Sequence, residues 1–444
     1  MVLMQVLRLL FKIMLNIFLY TIIPFLLFFS GCQMASNLLE ETIHPKSHSY
    51  THSNKLLDDC NIDKVIVLIE SNKNQLLQNS EKGLAYYYKN KSKESNGYFD
   101  IAIDIYRKNE NKALFDVSTF LTQEYQGEGY DKVFLHNYKA INYLTLGNSE
   151  SARVEAKNSN MAQEKERLKL NEFKSKETNN TNSAILSRYD KLFQSVNPKH
   201  NPYQNPFAYY ISALSYAEDE DYGNALIDIR HALTFSPNSK ILQKKLKQYK
   251  SKKRIDLVEL FFDIGQSPLK SQVQLEMKME NGEKRMATLP DFSLSKSNID
   301  YIEIRNKKGT VVTRTSLLSD VNAIKINEFK EKLPSILSIL SRELALSVGV
   351  ETLNGQSKLL AGVIKASMAI YTQVETATWS LLPQKILVAS FKITENKEYE
   401  IVAYSKGGNV INRSPLVIRK NGSSKNIYKH LFLRKKRMCY SKRL

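Results

Sequence analysis

One spacing of small and aromatic residues occurs twice in this chain of 444 residues. Residues three or four positions apart lie on one face of a helix, and small side chains there let two antiparallel helices approach closely. The turn Asp221-Tyr222-Gly223 divides the downstream copy, and Gly147-Asn148 divides the upstream copy. We predict that the packing residues are Ala140, Tyr143, Ala152, Ala156, Tyr209, Ala213, Tyr216, Ala225, Ala232 and Pro237. Two copies with the same offsets therefore predict stacked helical hairpins.

The offsets are those of a tetratricopeptide repeat (TPR), in which each repeat is one helical hairpin that stacks on the next. Pro237 is expected to stop the second helix of the downstream copy, because proline cannot continue a helix. A third copy begins near Tyr86 but is irregular, since Asn90 and Lys93 stand where small and aromatic residues belong. We predict a TPR-like α-helical domain over residues 58–252.

After Lys253 the hydrophobic residues begin to alternate, which is typical of strands. Strands are predicted at residues 255–262, 273–279, 301–304, 310–313, 385–391, 399–404 and 425–432. Helices are predicted at 321–348, broken at Pro334, and at 358–373. We predict an α+β chain, in which a β-rich, sandwich-like domain with two or three helices at residues 253–435 follows the helical array. A basic tail follows at 436–444.

The first 32 residues indicate where the protein is located. Arg8 and Lys12 precede an apolar run that ends in Phe29-Ser30-Gly31-Cys32, and this pattern resembles a bacterial lipoprotein signal. A transmembrane anchor is the alternative, but Pro24 interrupts the run, which is shorter than the roughly 20 residues that cross a bilayer. We predict a signal peptide over 1–31, lipid attachment at Cys32, a flexible tether over 32–57, and a location on the outer membrane facing the periplasm.

Charge and cysteine content restrict the partners. Lys and Arg exceed Asp and Glu by 19, but an exported lipoprotein meets lipid headgroups and cell-wall carboxylates, so we predict no nucleic-acid partner. Cys60 and Cys439 remain besides Cys32; a disulfide between them and two free thiols are both open. The Cys and His spacing matches no metal site, and we predict no metal and no cofactor.

Several segments together resemble a family of Gram-negative lipoproteins with TPR-like repeats, to which no reaction is assigned. The matching segments are 125–130 (YQGEGY), 136–144, 152–155, 224–228 and 379–383. The resemblance implies the architecture and the location described above, and it implies no reaction.

A few residues are candidates for a binding or structural role. The glycines of Gly127-Glu128-Gly129 allow a tight backbone path, and Glu128 is expected to bond the first turn of a helix that begins near Asp131. Arg153 and Glu155 are expected to form a salt bridge or a hydrogen bond inside a hairpin. Trp379 is expected to anchor a core, with an aromatic contact on a binding surface as the alternative.

Motifs of known enzyme classes are missing from the sequence. We find no G-x-S-x-G elbow, no H-E-x-x-H and no phosphate-binding loop. We therefore predict that the protein is not an enzyme but a scaffold that binds envelope proteins or peptides and is held at the membrane by its lipid anchor. Direct binding of peptidoglycan or polysaccharide is the alternative, and an uncharacterised hydrolase or a passive structural lipoprotein is less favoured.

Overall fold

The structure is a computed structural model of the chain. It describes residues 50–112, 125–175, 183–278, 282, 284–353, 376–392, 397–419, 426–434 and 438–439. The predicted signal, Cys32 and most of the tether lie outside the described residues, as does the predicted helix at 358–373. No helix in the described part of the chain is long and apolar enough to cross a membrane.

Helices joined by short turns form the N-terminal part. They are α1 Tyr50–Asp58, α2 Ile62–Ile69, α3 Gln75–Tyr88, α4 Ser92–Lys112, α5 Gly129–Thr145, α6 Ser149–Ser175, α7 Ser183–Gln194, α8 Pro206–Glu218, α9 Tyr222–Phe235 and α10 Lys240–Lys250. Side-chain hydrogen bonds fix the first residue of several helices. The side chain of Asn74 accepts from Leu77 N–H at 3.0 Å, and that of Asp221 accepts from Asn224 N–H at 3.1 Å. Such caps satisfy amides that have no partner inside the helix.

Three helical hairpins follow one another within the described residues: α3–α4, α5–α6 and α8–α9. The crossings of α5–α6 and α8–α9 are lined by the predicted small residues, since Ala140, Ala152, Ala156, Ala213, Ala225 and Ala232 are fully buried. Tyr143, Tyr209 and Tyr216 are half-buried beside these crossings, and Pro237 lies exposed two residues after the end of α9. Small side chains at the contact allow the helices of each pair to pack closely.

Strands and one long helix form the rest of the described chain. They are β1 Leu257–Ile264, β2 Leu269–Lys278, β3 Lys284–Ser293, β4 Tyr301–Asn306, β5 Val311–Arg314, β6 Ser316–Asp320, α11 Val321–Leu353, β7 Lys385–Lys392, β8 Lys397–Tyr404, β9 Val410–Ile418, β10 Ile427–Leu433 and β11 Met438–Cys439. The seven predicted strands are present with shifted ends. The sequence prediction missed β3, β6, β9 and β11.

Among the described strands, one sheet has the order β11-β10-β1-β7-β6, a second has the order β5-β4-β8-β9, and β2 pairs with β3. The pairs are antiparallel except for β1 and β10, which run parallel. The chain is therefore of the α+β class, with helices first and sheets afterwards. The described residues, which begin at Tyr50, form one compact unit.

Strand β1 is buried on both faces and sits at the centre of three layers. Phe261 packs with the helices, in one continuous core that includes Phe207, Tyr210 and Trp379. Leu260 packs on the opposite side, in a second core shared with the four-stranded sheet. The order of layers is therefore helices, five-stranded sheet and four-stranded sheet.

The predicted break at Pro334 is wrong, because α11 continues through this residue. Proline removes one backbone hydrogen bond from a helix. Here Leu333, Ile336 and Leu337 around it are buried against α7 and the β2–β3 pair. This packing holds the helix together across the missing bond.

The predicted flexible tether and the predicted basic tail are both partly structured. Helix α1 occupies the last part of the predicted tether, because Leu57 is fully buried in the helical core. In the predicted basic tail, Met438 and Cys439 pair with β10. Cys439 also forms a disulfide with Cys60, with a Cα–Cα distance of 5.6 Å, so the open question about these two thiols is resolved in favour of the bridge.

Candidate functional site

The loop with two glycines begins helix α5. Gly127 has a φ of +100°, and a Cβ atom there would lie 2.4 Å from the ring of Tyr106. A Cβ atom on Gly129 would lie 2.2 Å from the carboxyl carbon of Glu166. Gly127 therefore requires glycine for its backbone conformation and for space, and at Gly129 any side chain would displace the carboxylate of Glu166.

Helix α5 starts at Gly129, two residues before Asp131, near the predicted position. Glu128 and Asp131 form a capping box across the first turn, in which the carboxylate of Asp131 accepts from Glu128 N–H at 2.9 Å. Glu128 also pairs with Lys270 and with Lys332, the latter with an N–O distance of 3.4 Å. The loop glutamate therefore connects α5 to β2 and α11.

Buried and half-buried charged side chains surround this helix start. We call them the charge centre; its members are Glu128, Asp131, Glu166, Lys270, Lys325, Glu328 and Lys332. The two carboxylate oxygens of Glu328 accept from Gly129 N–H at 3.0 Å and Tyr130 N–H at 3.3 Å. An anion at the N-terminus of a helix is favourable, because the free amides and the helix dipole both attract it.

Lys325 joins the loop to the tryptophan segment. Its ammonium group donates to Ser267 Oγ at 3.0 Å, Thr378 Oγ1 at 2.9 Å and the carbonyl of Trp379 at 3.2 Å. It also lies 5.3 Å from the centre of the Tyr130 ring, a distance at which a cation is attracted to the ring face. Trp379 itself is fully buried. Two segments that the sequence marked separately, 127–129 and 379–383, thus meet at one lysine.

Burial shifts the protonation of the charge centre. It lowers the pKa of Lys325 to about 7 and raises that of Glu328 to about 8 and that of Asp131 to about 6. Glu128 is also buried, but the nearby cations Lys270 and Lys332 outweigh its burial and hold its pKa below the usual range. Burial thus favours the neutral form of each of these side chains, and neighbouring opposite charges oppose this effect.

The charge centre has no room for a substrate. The cavity among Glu128, Lys270, Lys325 and Lys332 has a volume of about 20 Å³, which is enough for about one water molecule. Ser267 and Lys325 have the separation that a nucleophile and its base need, but both are buried. In the described ranges, no group of three or more His, Cys, Asp or Glu side chains is placed to hold a metal ion. The geometry therefore favours a structural joint between the layers.

Glu155 and Arg153 lie away from the charge centre. Glu155 accepts from Lys139 at 2.6 Å and lies 2.6 Å from His136 Nδ1, so it bridges the two helices of one hairpin. Arg153 pairs with Asp219 at 3.0 Å, between α6 and the end of α8. Glu155 thus connects the two helices of one hairpin as expected, whereas Arg153 connects neighbouring hairpins.

The inner face of the helical array is covered by the five-stranded sheet. Tyr88 and Tyr138 both donate to a carboxylate oxygen of Asp263 on β1, at 2.9 and 3.0 Å. Tyr210 donates to Glu259 of the same strand at 2.6 Å. Helices α3, α5 and α8 therefore use their inner side for the protein's own sheet, and this side is not open to a partner.

The outer face carries an open cleft between α6, α8 and α9. This outer cleft has a volume of about 320 Å³, and it is lined by Lys157, Asn160, Met161, Glu164, Tyr216, Asn224, Ile227 and Asp228. Met161 is 61% exposed and Ile227 is 49% exposed. Exposed apolar side chains around a cleft are typical of binding surfaces.

Asp228 lies at the bottom of the outer cleft and is only 7% exposed. It stands three residues after Ala225 and four before Ala232, on the helix face that packs against α8. Burial raises the pKa of Asp228 to about 6, although a hydrogen bond from Ser212 opposes the shift. Among the described residues, no ion pair to Asp228 is present.

The sequence prediction missed the lysines of the charge centre and the cleft residue Asp228. A usable signal exists for the first set, since Lys325, Glu328 and Lys332 are spaced by three and four and share one face of α11. For Asp228 the signal is a carboxylate placed between two alanines that pack a hairpin.

A scan against protein-family models and a search of curated proteins find no match to the chain.

Proposed function

We propose that this chain is a lipid-anchored protein of the cell envelope that binds a partner protein through the outer face of a TPR-like helical array. In this proposal Cys32 carries the lipid, the outer membrane holds the protein on its periplasmic side, and no reaction is catalysed. The observation that carries the binding role is the outer cleft, which is open and has exposed apolar residues. The inner face cannot serve, because the sheet fills it.

The disulfide supports the proposed compartment. Bridges such as Cys60–Cys439 form and persist in oxidising places such as the periplasm, and they are rare in the cytosol. The bridge lies outside the N-terminal pattern that resembles a lipoprotein signal, so the two features point to the compartment independently.

The helical hairpins support the TPR-like assignment and the family resemblance. The crossings of α5–α6 and α8–α9 are lined by buried alanines at the offsets that the sequence repeats. Each hairpin contacts the next one, α4 with α5 and α6 with α8. Stacking of this kind is expected of repeat proteins.

Site-specific crosslinking tests the binding role. A photoreactive amino acid is placed at Met161 or Ile227, and, as a matched control, at Met286 of β3, which is 55% exposed and lies on a separate part of the molecule. Irradiation of intact cells should give the same crosslinked envelope protein from both cleft positions and none from Met286. Equal crosslinking from Met286, or none from the cleft positions, would contradict the proposal.

Sedimentation with purified cell-wall sacculi separates this function from direct polysaccharide binding. A protein scaffold should remain in the supernatant under conditions in which a known wall-binding protein sediments. Sedimentation of the purified protein with the sacculi would favour the alternative.

A further inference from the structure

We infer that the outer cleft binds an amphipathic helix of the partner protein that carries a lysine or arginine beside its apolar stripe, and that Asp228 selects this basic residue. The inference rests on the proposed function, because it names the chemistry of the partner at the same surface. It follows from the shape of α6, the depth of Asp228 and the absence, among the described residues, of an ion pair to it; His231 acts on Asp228 through its charge alone.

The apolar residues on α6 form a stripe that is longer than the cleft. Val154 and Leu168 are each 55% exposed, and they lie seven residues before and seven residues after Met161. Fourteen residues of helix span about 21 Å. A heptad spacing of exposed apolar residues matches a second helix lying alongside, whose side chains insert between them.

The polar part of the cleft favours a cation from outside. Among the described residues, three carboxylates at or below the surface have cationic partners, since Glu128 pairs with Lys270, Glu155 with Lys139 and Glu259 with Lys245. Asp263 instead accepts from two tyrosine hydroxyls. Asp228 has the hydroxyl of Ser212 as its hydrogen-bond donor, and no ion pair joins it to Lys157, which also lines the cleft. A buried carboxylate without a cation is costly, and a lysine or arginine from outside would remove that cost.

The size of the cleft agrees with a side chain as the occupant. About 320 Å³ lies at the lower end of the range for ligand sites. This space accommodates one or two side chains, while the partner helix itself lies on the stripe above. Glu164, on the rim, is already paired with Arg167, so Asp228 is the carboxylate available to the incoming residue.

A displayed peptide library tests the inference with the folded protein. The library consists of helix-forming peptides about three heptads long, with apolar residues fixed at heptad positions and the flanking positions randomised. It is selected against the wild-type chain, Asp228→Asn and the double variant Met161→Asp/Ile227→Asp. Asn keeps the size of Asp228 and can still accept from Ser212, and thermal unfolding shows whether each variant is folded. Asp190→Asn, which changes an exposed aspartate on α7, is the matched charge control.

Peptides selected by the wild-type chain should carry Lys or Arg beside the apolar stripe. They should bind Asp228→Asn about tenfold more weakly, as expected for the loss of one charge-assisted hydrogen bond, and bind Asp190→Asn normally. The double variant should select nothing above background. Absence of enrichment on the wild-type chain, enrichment without basic residues, or equal affinity for Asp228→Asn would overturn the inference.

The two proposals can fail separately. If Met161 crosslinks an envelope protein whose captured segment has no Lys or Arg, the binding function stands and the inference about Asp228 is wrong. If basic peptides are selected but nothing is crosslinked in cells, the chemistry of the cleft stands and the envelope scaffold fails.

Discussion

Two glycine-to-alanine changes should alter stability in opposite directions. Gly97 lies in the interior of α4, is exposed and has no atom within 4 Å of the place where a Cβ would be. Gly129 lies at the start of α5, where a Cβ would be 2.2 Å from the carboxyl carbon of Glu166. The same chemical change therefore meets open space in one case and a buried side chain in the other.

The expected sizes follow from these two environments. Alanine is favoured over glycine inside a helix by roughly 0.5–1 kcal/mol, so Gly97→Ala should raise the free energy of unfolding by that amount. At Gly129 a carbon–carbon contact needs about 3.5–4 Å, so Glu166 must move by more than 1 Å or the helix start must shift. Overpacking of this kind costs about 1–3 kcal/mol. The difference between the two variants should be about 1.5–4 kcal/mol.

Urea unfolding followed by circular dichroism measures both changes, with the slope of the transition as a check that the folded states are comparable. The midpoint should rise for Gly97→Ala and fall for Gly129→Ala. A double variant Gly129→Ala/Glu166→Ala should recover part of the loss, because the clashing carboxylate is gone. If Gly129→Ala is as stable as Gly97→Ala, Glu166 does not lie over the start of α5 and our description of the charge centre is wrong.

Three further predictions concern the bridge, a buried histidine and the anchor. The disulfide joins residues 379 positions apart, and for a loop of this length chain entropy limits the stabilisation to about 6 kcal/mol. We expect Cys60→Ala/Cys439→Ala to lower the free energy of unfolding by about 2–4 kcal/mol in urea titrations. His430 donates from Nε2 to the carbonyl of Tyr87, and burial lowers its pKa to about 4. Between pH 6.5 and 4 the folded state therefore binds fewer protons than the unfolded state, and up to about 3 kcal/mol of the free energy of unfolding should be lost as the pH falls through this window. His430→Gln should flatten this pH dependence of stability. Cys32→Ser should release the protein from the membrane fraction and abolish palmitate labelling, and unchanged membrane retention would favour an uncleaved anchor.

Local patterns made the helical hairpins predictable. Alanines and aromatic residues at fixed offsets describe contacts between helices that are close in sequence, so the spacing alone indicates the packing. The strands around β1 were predictable for a similar reason, because Leu257–Ile264 is apolar except at Glu259 and Asp263 and fits a strand that is buried on both faces.

Two of the missed strands contain proline. Pro290 lies in β3 and Pro415 lies in β9, and proline argues against a strand because it cannot donate to a neighbour. The structure tolerates both residues because β3 belongs to a two-stranded sheet and β9 is at the edge of the four-stranded sheet. Whether a strand lies at an edge is a property of the fold, which the local sequence does not contain.

The charge centre was predictable only in part. The glycines around Glu128 marked the tight loop, but lysines are usually exposed. Nothing near Lys270 in the sequence indicates that it faces the interior, and the spacing of Lys325, Glu328 and Lys332 marks a shared helix face without showing that this face is covered. Their burial depends on β2, α11 and the segment around Trp379 meeting at the start of α5. Contacts between segments more than a hundred residues apart leave no local pattern to read.

The covered inner face changes how a repeat array of this kind should be tested. In an array whose groove is empty, removal of a following domain leaves the binding surface intact. Here removal of the sheets would expose Tyr88, Tyr138 and Tyr210, which are buried and donate to carboxylates of β1. The resulting apolar surface would bind proteins without specificity. A truncated helical fragment that captures many proteins would therefore say nothing about the outer cleft, whereas single substitutions at Met161, Ile227 and Asp228 in the full chain leave the joint between layers unchanged and report on the cleft alone.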